Sequence, residues 1–281
     1  MELQTIKAKM LKPREDQPNI VLVILDSLNW NAWTKYRTQL KTTNIETLLG
    51  SKAIKVHSPG CCTLPSLISY LSNYPPIGVG YGLFDKGIWV EVPGLENRGV
   101  HSPTRAWMPK WYKDKGYHTS IFSGNAVLAE ADQELCISPF FDHWGVMKYL
   151  KKDMLKATPL ILKDFEALCL EEGGRPLFSV LWLFDTHYPF MDGRVILNPH
   201  FKDGYATMEA MVKALKYTDE TVFPHIVESL SKTGRASKVI CTSDHGENHG
   251  GPGAGHNPFS AKLEMSNDLF SIPFIEGEIE A

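Results

Sequence analysis

Three apolar runs that each stop at an aspartate constrain the fold of this chain more than any other feature. They are NIVLVILD at residues 19–26, PLFSVLWLFD at 176–185 and KVICTSD at 238–244. Strands buried on both faces have continuous apolar sequences of this length, because helices cover both sides of a parallel sheet. Each run therefore predicts a buried parallel strand.

Helical and extended segments alternate between these runs. HTSIFSG at 118–124 predicts a fourth strand, an apolar stripe at helical spacing over 208–226 predicts a helix, and LFSIPFIEG at 269–277 predicts a last strand. The glycine-rich residues 80–102 are predicted to form a loop that could cover a site. Strands that alternate with helices at this spacing indicate an α/β fold with a mainly parallel sheet.

Composition narrows the function classes. A net charge of -3 and the lack of a dense basic patch argue against binding nucleic acid through bulk charge. No apolar run approaches the roughly 18 residues of a membrane-spanning helix, and the charged, polar N-terminus has no signal-like apolar segment. We therefore expect a soluble, cytoplasmic protein. Five cysteines without a regular spacing do not indicate a disulfide framework.

Acids and a histidine stand at the predicted strand ends. Asp26, Asp185, Asp244 and His245 each follow an apolar run. In open parallel sheets, ligands bind at the carboxyl ends of the strands, so these side chains could converge at one edge. Carboxylate oxygens and imidazole nitrogens are ligands for divalent ions from zinc to manganese. Each aspartate could instead cap a helix or stabilise a turn, and His245 could be a core histidine.

The segment SPGCCTLPSLISYL at 58–71 predicts the start of a helix, with Thr63 as its N-cap and Pro65 in the first turn. Free N–H groups and the helix dipole make such a terminus an anion site. Near a metal ion, the Thr63 hydroxyl could attack a phosphoryl or sulfuryl group. The simpler interpretation is that Thr63 only caps the helix.

The order of these segments resembles the sulfatase-like branch of the alkaline phosphatase superfamily. The resemblance runs through NIVLVILDSLNWNAW, SPGCCTLPSLISYLSNYPP, TSDHGE and GHNPFSAKLEMSNDLFSIPFIEG, and it covers nearly the whole chain. It implies a three-layer αβα sandwich, with residues 19–281 as one catalytic domain after an N-terminal extension of residues 1–18. Family members usually continue into a small C-terminal sheet, so we expect most of that subdomain to be lacking here.

The resemblance also implies roles for particular residues. The metal ligands it implies are Asp26, Thr63, Asp244 and His245, and the ion they hold would be zinc, manganese, calcium or magnesium. Thr63 is then the nucleophile, while His187 and His256 contact the substrate or its leaving group. A second ion, if bound, would be held by Asp185, His187 and His256. Asn125 and His249 are further candidate substrate contacts, although Asn125 could equally serve in a turn.

The nucleophile segment departs from the pattern of true sulfatases. These convert a cysteine or serine in Cys/Ser-x-Pro-x-Arg to formylglycine, whereas this chain has Thr63, which cannot form that aldehyde, and Leu67 in place of the arginine. The sequence therefore favours a metal-dependent hydrolase of small anionic phosphoric or phosphonic esters. The alternatives are sulfuric ester hydrolysis without formylglycine, phosphoryl transfer to an alcohol, and a non-catalytic binding relative. A second copy of the chain could complete the site, so a homo-oligomer is one of the two states that the sequence leaves open, beside a monomer.

Overall fold

A computed structural model of the chain describes residues 17–72, 80–84, 87–91, 107–146, 154–172, 174–197, 208–249 and 267–281. The strands within these ranges are β1 (Asn19–Leu25), β2 (Ile54–His57), β3 (Gly80–Phe84), β4 (Gly87–Glu91), β5 (His118–Ser123), β6 (His143–Gly145), β7 (Leu177–Leu183), β8 (Ser237–Thr242) and β9 (Ser271–Ile279). The α-helices are α1 (Trp30–Arg37), α2 (Asn44–Leu49), α3 (Thr63–Ser72), α4 (Met108–Asp114), α5 (Ala126–Leu135), α6 (Ala157–Glu171), α7 (Met208–Tyr217), α8 (Phe223–Ser231) and α9 (Asn267–Phe270). Short 3₁₀ turns cover Ser138–Phe140 and Met154–Lys156, and a π-helical turn, Thr218–Val222, joins α7 to α8.

Seven strands form the main sheet, in the order β2-β9-β8-β1-β7-β5-β6. β9 runs in the opposite direction to the other six strands, which share one direction. The predicted α/β class with a mainly parallel sheet is therefore confirmed. β1 lies between β7 and β8, and Ile24 is in register with both Trp182 and Thr242. This register brings the carboxyl ends of the three strands to the same edge of the sheet.

Helices cover both faces of the sheet, as the sandwich architecture requires. Val21, Val23 and Leu25 of β1 pack into a core with α1, α2, α6, α7 and α8, whereas Leu22 and Ile24 pack with α3, α4 and α5. The alternation follows from the two-residue period of a strand. Each fully buried Leu, Ile or Phe side chain stabilises the fold by about 1.5–3 kcal/mol.

A buried carboxylate fastens α2 to the helices on the first face. Asp219, in the π-helical turn, accepts hydrogen bonds from the backbone N–H groups of Asn44 (3.1 Å) and Ile45 (2.8 Å) and from the Tyr36 hydroxyl (2.9 Å). These two amides belong to the first turn of α2, where intrahelical partners are lacking. The negative charge also lies at the positive end of the α2 dipole.

Three features differ from the sequence predictions. Part of the predicted loop over 80–102 is a pair of antiparallel strands, β3 and β4, because glycines at 80, 82 and 87 obscure the strand pattern; residues 92–102 lie outside the described ranges. The short strands β2 and β6 were not predicted. Helix α3 begins at Thr63 itself, so Thr63 is its first helical residue rather than the cap.

The predicted extension, residues 1–18, lies outside the described part of the chain except for its last two residues. No helix in the described ranges combines the length and the apolar character needed to cross a membrane.

Candidate active site

Three of the predicted metal ligands meet at the carboxyl edge of the sheet. Asp26 directly follows β1, and Asp244 and His245 lie just beyond the end of β8. All three side chains are fully buried, and each offers one ligand atom within 4.8 Å of the other two. His245 Nε2 lies 3.3 Å from Asp244 Oδ2 and 3.7 Å from Asp26 Oδ1.

Helix α3 brings a hydroxyl to the same point. Thr63 Oγ1 lies 3.4 Å from His245 Nε2, and Thr63 is almost completely buried. The position follows from packing, because Leu67 and Ile68 of α3 are buried against the sheet. Gly60 permits the tight approach to the helix, since a Cβ there would lie 2.7 Å from Pro65 Cγ. The predicted nucleophile and the three predicted ligands therefore lie together.

Hydrogen bonds orient the Asp244 and His245 side chains. Asp244 Oδ1 accepts from the backbone N–H groups of Ser27 and His245, both at 3.0 Å, so Oδ2 is the oxygen that faces His245 Nε2. His245 Nδ1 lies 2.8 Å from the Gly246 carbonyl oxygen. Nδ1 must carry a proton in this contact, so in the neutral imidazole Nε2 is the nitrogen with the lone pair, and it faces the carboxylates and Thr63.

Asp26 is held by side chains on both of its oxygens. Oδ1 accepts from the Ser27 hydroxyl at 3.1 Å, and Oδ2 accepts from Trp182 Nε1 at 3.1 Å and Asn125 Nδ2 at 2.6 Å. Ser27 has a φ of 66°, a left-handed conformation that costs a non-glycine residue about 1–3 kcal/mol. This conformation accompanies its contacts with both Asp26 and Asp244.

Sequence reasoning missed the roles of Trp182 and Ser27. The indole N–H of Trp182 is a buried donor inside an apolar strand, and such a group needs an acceptor. That signal was present in PLFSVLWLFD, but the acceptor depends on β7 lying beside β1. No local pattern marks Ser27, whose contacts with Asp26 and Asp244 depend on β8 lying beside β1.

A tyrosine supports the backbone next to Asp244. Tyr70 of α3 donates its hydroxyl to the Ser243 carbonyl at 2.7 Å. Burial and the nearby Asp244 carboxylate raise the pKa of Tyr70, so the hydroxyl stays protonated and remains a donor.

The donor set fits a divalent metal ion. Three oxygens and one imidazole nitrogen are available, from Asp26, Thr63, Asp244 and His245. Zinc binds such atoms at about 2.0–2.2 Å in a tetrahedron, which places neighbouring ligand atoms about 3.4 Å apart. The observed separations of 3.3, 3.4 and 3.7 Å from His245 Nε2 match that spacing.

The other predicted site residues have different surroundings. Asp185 is buried and accepts a hydrogen bond from Thr158, and burial raises its pKa to about 6. The ring of His187 stacks on Phe184 with 4.2 Å between centroids, and its Nδ1 lies 2.6 Å from the Tyr188 carbonyl oxygen.

His249 lies near Glu209, whose pKa is lowered chiefly by Lys35 and to a smaller extent by His249. His256 lies outside the described residues. Neither Asp185 nor His187 belongs to a three-ligand group among the described residues. The second ion therefore stays a prediction.

Comparisons with known proteins identify the family of this chain. The Sulfatase family model matches residues 18–275, so the chain belongs to the sulfatase family. None of the curated protein sequences matches it.

Solved structures share the fold at low sequence identity. The C-terminal periplasmic domain of EcEptC from Escherichia coli matches with a TM-score of 0.59 and 17% identity, over 95% of this chain and 76% of that one, and it is also known in complex with Zn. The soluble domain of lipooligosaccharide phosphoethanolamine transferase A from Neisseria meningitidis has a TM-score of 0.58 and 15% identity, over 96% and 79% of the two chains. The lipoteichoic acid synthase LtaP from Listeria monocytogenes has a TM-score of 0.57 and 15% identity, over 92% and 65%.

Proposed function

We propose that this protein is a metal-dependent enzyme that cleaves phosphoric esters, with Thr63 as the nucleophile. The observation that carries the proposal is the 3.4 Å separation between Thr63 Oγ1 and His245 Nε2, at the point where Asp26 and Asp244 also converge. A residue that only begins a helix would not need two buried carboxylates and a histidine beside it, and a bound cation would offset the repulsion between two carboxylates buried at one point.

Zinc is the ion that these donors fit best. Calcium and magnesium favour sites made of oxygen ligands alone, whereas imidazole suits zinc. The Nδ1 contact of His245 with Gly246 leaves Nε2 for the ion, which is the usual arrangement of a histidine ligand. A bound zinc ion would lower the pKa of the Thr63 hydroxyl and offset the charge of an anionic ester.

The residues of the chain perform the transfer itself. The Thr63 hydroxyl gives up its proton to solvent, and Oγ1 forms a bond to phosphorus as the bond between phosphorus and the ester oxygen breaks. The ester oxygen leaves with the bonding electrons and takes up a proton. The product is a phosphothreonine, from which water or an alcohol then displaces Thr63. Free N–H groups at the start of α3 are donors for the anionic oxygens of the group being transferred. His187 is the candidate donor of the proton, as the sequence predicts.

Phosphate is a better substrate than sulfate for this site. Thr63 cannot become formylglycine, on which sulfatases of the resembled branch depend. Leu67 replaces the arginine of their motif, and its side chain is completely buried in the core. Position 67 therefore supplies no charged contact to a substrate.

Phosphoryl transfer to an alcohol is the second candidate. Two structural neighbours are named phosphoethanolamine transferases, from Campylobacter jejuni and Neisseria meningitidis. The chemistry up to the phosphothreonine is shared, and the two functions differ only in the acceptor. Cytoplasmic location and self-association remain predictions from the sequence, which cell fractionation and analytical ultracentrifugation would decide.

The test compares Thr63→Ala with Thr63→Ser and with Thr34→Ala, an exposed position in α1. We expect zinc-loaded wild type to cleave nitrophenyl phosphate or bis(nitrophenyl) phosphate faster than nitrophenyl sulfate. Thr63→Ala should reduce kcat at least about 10³-fold, whereas Thr63→Ser keeps a hydroxyl and retains part of the activity. Mass spectrometry should detect phosphate on residue 63, and added alcohols would reveal transfer. Unchanged turnover in Thr63→Ala would remove the mechanism.

A further inference from the structure

We propose that Asn125 is a positioning residue that holds the nucleophile Thr63 and the metal ligand Asp26 in one fixed arrangement. The roles of Thr63 as nucleophile and of Asp26 as metal ligand rest on the proposed function. The sequence prediction was different, since it gave Asn125 as a substrate contact or a turn residue. The structure places its side chain on the reacting machinery of the protein itself.

The contacts of the Asn125 amide fix its orientation. Oδ1 accepts from the backbone N–H of Val127 at 2.8 Å, so Asn125 is the N-cap of α5. The amide nitrogen must therefore point the other way, where Nδ2 lies 2.6 Å from Asp26 Oδ2 and 3.4 Å from Thr63 Oγ1. The side chain is almost completely buried. One planar group thus links the cap of α5, the end of β1 and the first residue of α3.

This arrangement helps to orient Asp26 Oδ1 towards the candidate ion site. Asn125 and Trp182 both donate to Oδ2, so this oxygen is occupied by protein donors. Oδ1 is the oxygen that faces His245 Nε2. Without the Asn125 amide, Asp26 Oδ2 loses the shorter of these two hydrogen bonds, and the carboxylate is less firmly oriented towards the ion. Groups that orient metal ligands in this way typically affect metal affinity or activity about 10–100-fold.

The same amide also restrains the nucleophile. Nδ2 can only donate, so Thr63 Oγ1 is the acceptor in this contact. A donor on one side of Oγ1 restricts its rotamer, and near-attack geometry is sensitive to shifts of about 1 Å. The effect of Asn125 should therefore fall on kcat and on metal affinity, rather than on KM.

Two substitutions separate this role from helix capping. Asn125→Ser keeps an N-cap, because serine is as good a cap as asparagine, but its side chain is too short to reach Asp26 or Thr63. Asn125→Ala removes both the cap and the donor. If the donor is what matters, both variants lose zinc affinity and kcat equally, and only Asn125→Ala loses additional thermal stability.

The measurements are zinc affinity by competition with a chromophoric chelator, the melting temperature of the metal-free protein, and kcat and KM on nitrophenyl phosphate esters. We expect both variants to lose about 10–100-fold in zinc affinity, with a comparable fall in kcat and KM within about twofold. The melting temperature of metal-free Asn125→Ser should be higher than that of metal-free Asn125→Ala, because only the alanine variant also lacks the N-cap.

Three results would overturn the proposal: wild-type zinc affinity and kcat in Asn125→Ser, losses confined to Asn125→Ala, or an effect on KM alone. The last would restore the substrate-contact interpretation. If wild type cleaves no ester at all, the proposed function fails. The zinc affinity of the two variants, compared with that of wild type, still decides the role of Asn125.

Discussion

Gly246 offers the sharpest test of how closely the chain packs around the site. It directly follows the proposed ligand His245, and its backbone N–H donates to the Leu269 carbonyl at 2.8 Å. A Cβ at this position would lie 1.7 Å from the Asp268 carbonyl oxygen and 3.0 Å from Asn29 Cβ. The first of these partners is backbone, so it cannot move aside as a flexible side chain could.

The size of the effect of Gly246→Ala follows from this distance. Carbon and carbonyl oxygen approach to about 3.3 Å at closest, so the two backbones must separate by about 1.5 Å. Overpacking of this kind typically costs about 1–3 kcal/mol of unfolding free energy. Because Gly246 is bonded to His245 and accepts from its Nδ1, the imidazole must move as well. A displacement of about 1 Å can reduce turnover about 10²-fold.

Gly174, in the turn after α6, supplies the matched control. A Cβ there meets no atom within 4 Å, and its φ lies outside the left-handed region, so Gly174→Ala should change stability by less than about 1 kcal/mol. Urea unfolding, zinc titration and ester turnover would be measured on both variants. Wild-type zinc affinity and turnover in Gly246→Ala, with stability equal to that of Gly174→Ala, would refute the packing argument.

Two further predictions concern buried acids outside the Asp26, Asp244 and His245 group. Asp219→Ala should lower the unfolding free energy, measured in urea, by about 3 kcal/mol or more. Three donors lose charge-assisted bonds of about 1.5–3 kcal/mol each, and relief of the buried charge offsets part of that loss. The control is Glu220→Ala at the exposed neighbouring residue, and an equal cost in the two variants would contradict the prediction. Burial raises the pKa of Asp185 from its ordinary 3.8 to about 6, so the folded state binds the proton more tightly than the unfolded chain. Its contribution to stability is therefore complete below pH ~4 and is lost as pH rises through ~6, a difference of about 3 kcal/mol. In metal-free protein, Asp185→Asn should remove this decline, and parallel pH curves for variant and wild type would show that the acid is not perturbed.

The strands that position the site could be predicted because their burial leaves a direct mark on the sequence. β1 and β7 are covered on both faces and β8 over most of its length, so apolar residues dominate these strands, and the aspartates follow their ends. Edge strands leave a weaker mark. β2 is mostly exposed, and β6 has only three residues, so neither shows an apolar run.

The contacts within the site could be predicted only in part. Asp26, Asp244 and His245 were found because residues after parallel strands share one edge. The contact between Trp182 and Asp26 depends on strand order, which no local pattern encodes. The two functions of Asn125 depend on where α5 begins relative to α3, a matter of tertiary packing. Local patterns thus indicate which residue types are available, whereas packing decides which atoms meet.

The spread of the ligands along the chain has a thermodynamic consequence. Residues 26, 63 and 244–245 are far apart in sequence, so an ion held by all of them would tie three distant segments into rings that the unfolded polypeptide does not contain. Such an ion would bind the native state almost exclusively, so its free concentration would affect the free energy of unfolding. Availability of zinc would govern the lifetime of the protein as well as its catalysis.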